Sequence, residues 1–327
     1  MHAGRNLILA TKPFAREIRS KSWFHTLTGL FLLLVCIAGS VFLPFLALRI
    51  ASSLVAGLLL VRMFIIYHDH QHHTILTRSV LADAIMTVFG MYILAPTSIW
   101  KRSHDHHHNN NSKLYSASIG SYPIATRRKF KDMTSKQKFI YLATRHPVTI
   151  GLGYFSMFIF GMCIASFASN PRKHFDALLA LVLHALVTIL LIWLFGWQVW
   201  FLAFFLPLFL ASAMGAYLFY AQHNFPGVTF ADNKQWAYEK AALESSSYIV
   251  MNPVLAWFTG NIGYHHIHHL NAKIPFYRLP EIMKHFPELQ NCKKTSLMPK
   301  AVIACFRLKL WDHDRNKMIG LKESRIS

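Results

Sequence analysis

Four cysteines are all the thiols this 327-residue chain carries, and no two of them form a CxxC pair. Cys36 and Cys163 fall within apolar runs and Cys292 and Cys305 stand apart, so neither a disulfide framework nor a thiolate metal site is expected. A glycine-rich dinucleotide or flavin fingerprint is also missing, as are an iron–sulfur cysteine run and a fused haem domain. The sequence therefore shows no electron carrier of its own. Acidic residues are few: 14 Asp and Glu stand against 34 Lys and Arg, for a formal net charge of +20. No recognised nucleic-acid module accompanies that charge, so nucleic acid is not an expected partner.

What the chain has in quantity is apolar sequence, 54% of it, gathered in long blocks. Residues 27–46 carry no charge and are long enough to span a hydrocarbon core of ~30 Å. Residues 50–67 form a second candidate, with Arg62 near one end where its long side chain can snorkel. Further blocks cover residues 148–168, 177–195 and 197–220. The shorter block 80–95 contains Asp83 and is expected to be interfacial or re-entrant. The basic segment before the first block suits an uncleaved anchor with its N-terminus in the cytosol.

Basic residues crowd the N-terminal segment, residues 101–145 and the region after residue 273, which places these stretches together on the cytosolic side. Attraction to membrane lipids with anionic headgroups, or docking of an acidic electron-donor protein, would use the same charge. The fold class expected is all-α: a multi-pass helical membrane domain of about four spans plus re-entrant or interfacial helices, with a cytosolic histidine-rich cap. Residues 1–23 would be a basic cytosolic segment, 24–289 the membrane domain and 290–327 a basic cytosolic tail.

Histidine is the second abundance. Twelve of the 20 histidines sit in three compact clusters, HDHQHH at 68–73, HDHHH at 104–108 and HHIHH at 265–269. His68 and His72 are four apart, and His104, His107 and His108 repeat the i, i+3, i+4 pattern of His265, His268 and His269; such residues share one helical face. Neutral imidazole binds iron, copper, nickel or zinc, so three clusters at ligand spacing point to a metal. His73 is an alternative partner for His68, but it lies further round the helix and needs a bent helix end. Asp69 and Asp105 follow the first histidine of their clusters and could orient a ligand by accepting its free ring N–H. His223 follows the last apolar block, where one more ligand could enter. His184, inside a block, suits a structural hydrogen bond.

Eight or nine imidazoles without a carboxylate set are more than a zinc hydrolase needs and unlike soluble di-iron proteins, which use glutamates. Neutral ligands leave two metal ions strongly cationic, which suits iron activating dioxygen against an unactivated C–H bond. A substrate dissolved in the bilayer explains the attached membrane domain. Such chemistry needs electrons from a separate donor.

HDHQH at 68–72, HDHHH at 104–108 and GNIGYHHIHHLNAKIPFYRLPE at 260–281 resemble the three histidine boxes of integral-membrane fatty-acid desaturases, and the flanks of the third resemble acyl-lipid desaturases in particular. YAQHNF resembles the family segment that supplies an extra ligand, here His223. The resemblance implies a non-haem centre of two iron ions at the cytosolic face and dioxygen-dependent insertion of a double bond into an acyl chain. It implies an acyl-lipid or acyl-CoA substrate, and ferredoxin or a cytochrome-type haem protein as donor. In a bacterium the enzyme would lie in the inner membrane. Two departures stand out. His73 blurs the spacing of the first box, and Phe219 stands four residues before His223, where the family's asparagine would be; Asn261 or water could take that place.

Two other functions fit the same residues. A hydroxylase or ketolase of a lipid, carotenoid or alkane would use the same boxes. A metal transporter with histidine-rich loops would require acidic or histidine residues deep in several spans, and only His184 and Asp83 come near.

Overall fold

The computed structural model describes residues 4–114, 116 and 122–325. Among these, four helices are long and apolar enough to cross a membrane: α1 (Arg19–Phe42), α2 (Leu46–Gln71), α8 (Phe175–Phe195) and α9 (Trp197–His223). The chain is thus built as a multi-pass membrane protein. Each span runs a few residues beyond its apolar block, because polar and basic residues at the ends are carried in continuous helix.

Pro44 separates α1 from α2 by biasing Leu43 to extended backbone (φ −64°, ψ 143°). The two helices then pack closely, since a Cβ on Gly29 would meet the sulfur of Met63 at 2.6 Å. Ser52 Oγ donates across the pair to the Cys36 carbonyl at 2.8 Å. Gly196, at φ 83°, makes the turn from α8 to α9. Around it Trp193 and Trp197 are exposed, as an aromatic belt requires. Pro207 in α9 follows a π-helical turn at Phe201–Phe205, which rearranges the backbone bonding where proline offers no N–H.

Between the first and second histidine clusters lies α3 (Val80–Tyr92), followed by α4 (Thr97–Asn110) at 90° to it. Pro96 stands at the bend, and Tyr67 Oη donates to the Ala95 carbonyl at 2.8 Å, holding the corner against α2. Two short basic helices follow, α5 (Arg127–Asp132) and α6 (Ser135–Thr144), the latter opened by a Thr134–Gln137 capping box. The apolar helix α7 (Tyr154–Ser169) is shorter than the ~20 residues a crossing needs and is π-helical over most of its length. Helices α8 and α9 form a hairpin that brings the end of α9, at His223, back beside the histidines where α2 ends. His184 of α8 is hydrogen-bonded to Tyr154 Oη at 2.5 Å, tying α7 to the hairpin.

The third cluster occupies a short helix, α10 (His265–Leu270). Within the described part of the basic C-terminal stretch, residues 290–325 form short helices and strands that pack on the cap. Strand β1 (Tyr248–Val250) pairs in parallel with β2 (Lys294–Ser296), α11 (Pro299–Arg307) follows, and β3 (Leu310–Asp312) and β4 (Lys317–Ile319) form an antiparallel pair. Trp311 is 1% exposed, and its backbone N–H donates to the Ala125 carbonyl at 3.0 Å. Asn224, just beyond α9, donates to the Cys305 carbonyl at 2.7 Å. The N-terminal segment also packs: the first described helix, Arg5–Thr11, buries Leu7, and Asn271 Nδ2 donates to Thr11 Oγ1 at 3.1 Å. All four cysteines are free.

Candidate metal centre

Helix α2 brings His68 to its last turn and His72 to its C-cap, with ring centroids 4.7 Å apart. Helix α4 presents His104, His107 and His108 along one buried face, and α10 presents His265, His268 and His269. His223 is the last residue of α9. All nine meet in two groups, His68, His72, His104, His108 and His268 in one, His107, His223, His265 and His269 in the other. Within each group the potential ligand nitrogens lie within 4.8 Å of one another. The groups abut, with the rings of His108 and His269 stacked at 4.2 Å.

In the second group the four Nε2 atoms close a ring. His107 to His223 is 3.0 Å, His223 to His265 2.8 Å, His265 to His269 3.1 Å and His269 to His107 3.2 Å. A square of that side has its corners roughly 2.1 Å from its centre, the length of an imidazole–zinc bond. In the first group Nε2 of His108 lies 3.0 Å from those of both His104 and His268, and the buried Nε2 of His72 has no hydrogen-bond partner. Nitrogen lone pairs converging on one another, without enough protons to satisfy them, fit a shared cation.

Electrostatics agree. Burial, reinforced by the neighbouring imidazoles, holds His72, His104, His107, His108, His265, His268 and His269 well below the usual histidine value of 6.5. Neutral imidazole is the form that binds a metal.

Two ligand candidates are oriented from outside the groups. Asp69 accepts from His68 Nδ1 at 3.1 Å and from the Phe276 backbone N–H at 2.7 Å, which aims His68 Nε2 inward. His223 Nδ1 donates to the Ser245 carbonyl at 3.1 Å, with the same effect. Asp105 does not do this; it pairs with Lys101 at 3.0 Å on the solvent side of α4. Asn261, at φ 57°, donates to the Phe276 carbonyl at 3.2 Å and not to an imidazole. Phe219 occupies the place beside the second group, its ring 4.8 Å from that of His107. His73 is exposed and lies outside both groups, because the helix ends at Gln71 and His73 itself turns to φ 53°. Of the surplus histidines, His70 contacts Asp83 at 3.0 Å, His266 is bonded to the Leu289 carbonyl at 3.1 Å, and His106 is exposed beside Ser116.

Sequence reasoning missed the aromatic and apolar side of the site. Trp100 stacks on His104 at 4.5 Å, one turn earlier on α4, and that i, i+4 spacing was the available signal. Trp100 and His104 line an apolar cavity between α2, α4, α7 and α9, with about 740 Å³ of empty space including its mouth. Leu60, Phe64, Met157, Phe158 and Leu208 are among its walls. A second apolar space shares Phe64, Gly215 and Phe219 with the first and reaches His68, His104 and His265. A lining of this apolar character suits a lipophilic ligand. On the other side a smaller polar pocket touches His107 and His223.

Comparisons with known proteins agree with this arrangement. A family model described as "Fatty acid desaturase" matches residues 43–297. A protein of Bacillus subtilis named "Fatty acid desaturase" is 32% identical over 84% of this chain and 78% of its own length. The "sn-1 oleoyl-lipid 12-desaturase" of a Synechocystis species is 22% identical over 80% of this chain and 74% of its own. The "sn-1 acyl-lipid omega-3 desaturase (ferredoxin)" of a Nostoc species is 26% identical over 69% and 64%.

Proposed function

This chain belongs to the fatty acid desaturase family, and on that premise we propose that its nine converging histidines hold two iron ions and that its substrate is a lipid-linked acyl chain. The reaction removes two hydrogens from adjacent methylenes, while dioxygen takes these, two electrons and two further protons to leave as two waters. A bound iron pair supplies the activation of dioxygen that this requires. The electrons come from a separate donor, ferredoxin or a haem protein of the cytochrome type, and the centre faces the cytosol.

The chain's own residues do the rest. Seven imidazoles are kept neutral by burial and offer lone pairs without first losing protons. Asp69 and the Ser245 carbonyl fix the tautomers of His68 and His223. Phe64, Trp100 and Phe219 exclude water from the space before His104 and hold the methylenes there. With water excluded, a reactive oxidant is not quenched before it meets carbon.

The observation that carries this reading is that His104 lines one apolar cavity and that His68, His104 and His265 line its neighbour, so that members of both histidine groups face apolar space. Lipid analysis by gas chromatography–mass spectrometry in an expressing host tests it, together with the metal content of purified protein. Wild type should add a mapped double bond and contain iron, and His268→Ala should lose both. An active preparation without iron would overturn the metal assignment. Oxygen added to the chain in place of a double bond would make the enzyme a hydroxylase.

A further inference from the structure

A third cavity, on the outer surface, has no part in the metal centre. It lies between α5, α6 and α7, with about 1490 Å³ of empty space including its open mouth. Its lining is mixed: Lys129, Gln137 and Tyr141, with Asp132, are interspersed with the apolar Met133, Ile140 and Met157. Met157 is also a wall of the cavity that His104 lines. Only this side chain is common to both, and methionine is the residue whose unbranched thioether most readily moves aside.

The surroundings place the mouth at a membrane surface. Beside it Phe139 and Ile140 are 72% and 50% exposed, on a short helix that also carries Lys136 and Lys138. Val148, Leu152, Phe155 and Phe160 continue the exposed apolar face along α7 and the turn before it. Residues 127–138 hold six basic side chains (Arg127, Arg128, Lys129, Lys131, Lys136 and Lys138) against the single acid Asp132. Apolar residues outward and cations just above them is the pattern of a segment lying in the headgroup layer.

We propose that this cavity seats the phosphate headgroup and glycerol of a membrane phospholipid beside Lys129, while one acyl chain of that lipid passes Met157 into the cavity that His104 lines. The inference rests on the acyl-lipid reading given above and extends it: the substrate enters sideways from the bilayer, still attached to its headgroup. Lys129 and the basic residues around it select an anionic phosphate, and the amphipathic wall matches the junction between glycerol and chain.

Native mass spectrometry of the purified enzyme released from nanodiscs containing phosphatidylglycerol tests this without relying on turnover. Wild type should retain phospholipid. Lys129→Glu should lower retention about fivefold, the equivalent of ~1 kcal/mol per basic residue near an anionic surface, and Lys129→Gln should lower it in the same direction by less. Thr144→Trp, which fills the mouth, should lower it also. Lys234→Glu makes the same change of charge at an exposed position that lines none of these cavities and should leave retention unchanged. Equal retention by Lys129→Glu and Lys234→Glu would overturn the proposal. So would equal retention of an uncharged galactolipid, loss of lipid to free inorganic phosphate alone, or displacement by acyl-CoA. Iron content is measured on the same samples, so failure here is distinguishable from failure of the metal assignment.

Discussion

Asp69 and Asp105 occupy the same position in two clusters that read alike, yet only one of them touches a ligand candidate. Asp69 is enclosed between α2 and the Phe276 backbone and bonds His68, whereas Asp105 points about 100° round the helix from His104 into solvent. Asp69→Asn should therefore lower metal affinity or activity about 10- to 100-fold, and Asp105→Asn should stay within ~0.5 kcal/mol of wild type in stability; metal titration and thermal unfolding check the pair. The lowered histidine values set a second expectation. Imidazoles already neutral at pH 7 have few protons to give up, so metal binding at pH 7 should release almost none, as read by calorimetry in buffers of different ionisation enthalpy. The sign for stability follows: the folded chain resists protonation that the unfolded chain accepts near 6.5, so the chelated protein should lose melting temperature as pH falls from 7 to 5. Ligand spacing was legible because i, i+3 and i+4 map directly onto one helix face. His73 was ambiguous, because a helix end is fixed by backbone geometry that the cluster itself does not encode.

Among the elements, the spans were legible because apolar length alone decides them; the shorter ones needed partners to be understood. Helix α7 is too short for an ordinary span, and its place is understood only from the return of His223 to the neighbourhood of His72, a long-range fact. The folded region after residue 289 was not legible. Its strands are three residues long and its order depends on contacts made hundreds of residues away, such as the Trp311 N–H on Ala125. Trp311→Ala should cost about 3–5 kcal/mol and expose residues 290–325 to limited proteolysis. Gly215 of α9 makes a different case, since it faces both apolar spaces and a Cβ there meets nothing within 4 Å. Gly215→Phe should fill the space before His104 and lower turnover on long acyl chains more than about tenfold, with iron content unchanged.

At the scale of the whole molecule, both histidine groups adjoin where α2 and α9 end. Reporter fusions at Asn109 and Asn271 should report the same face of the membrane, and opposite faces would contradict the fold. The histidine groups also carry an arrangement that spacing could not reveal. His107 and His108 are neighbours in the chain but belong to different groups, and so do His268 and His269. Helices α4 and α10 thus each reach into both halves of the centre. Seating the first ion locks two helices that the second also needs, so a protein carrying one ion should be scarce at every step of reconstitution. Uptake of metal by the stripped enzyme should accordingly be sigmoidal, and the pair of ions should come and go as one.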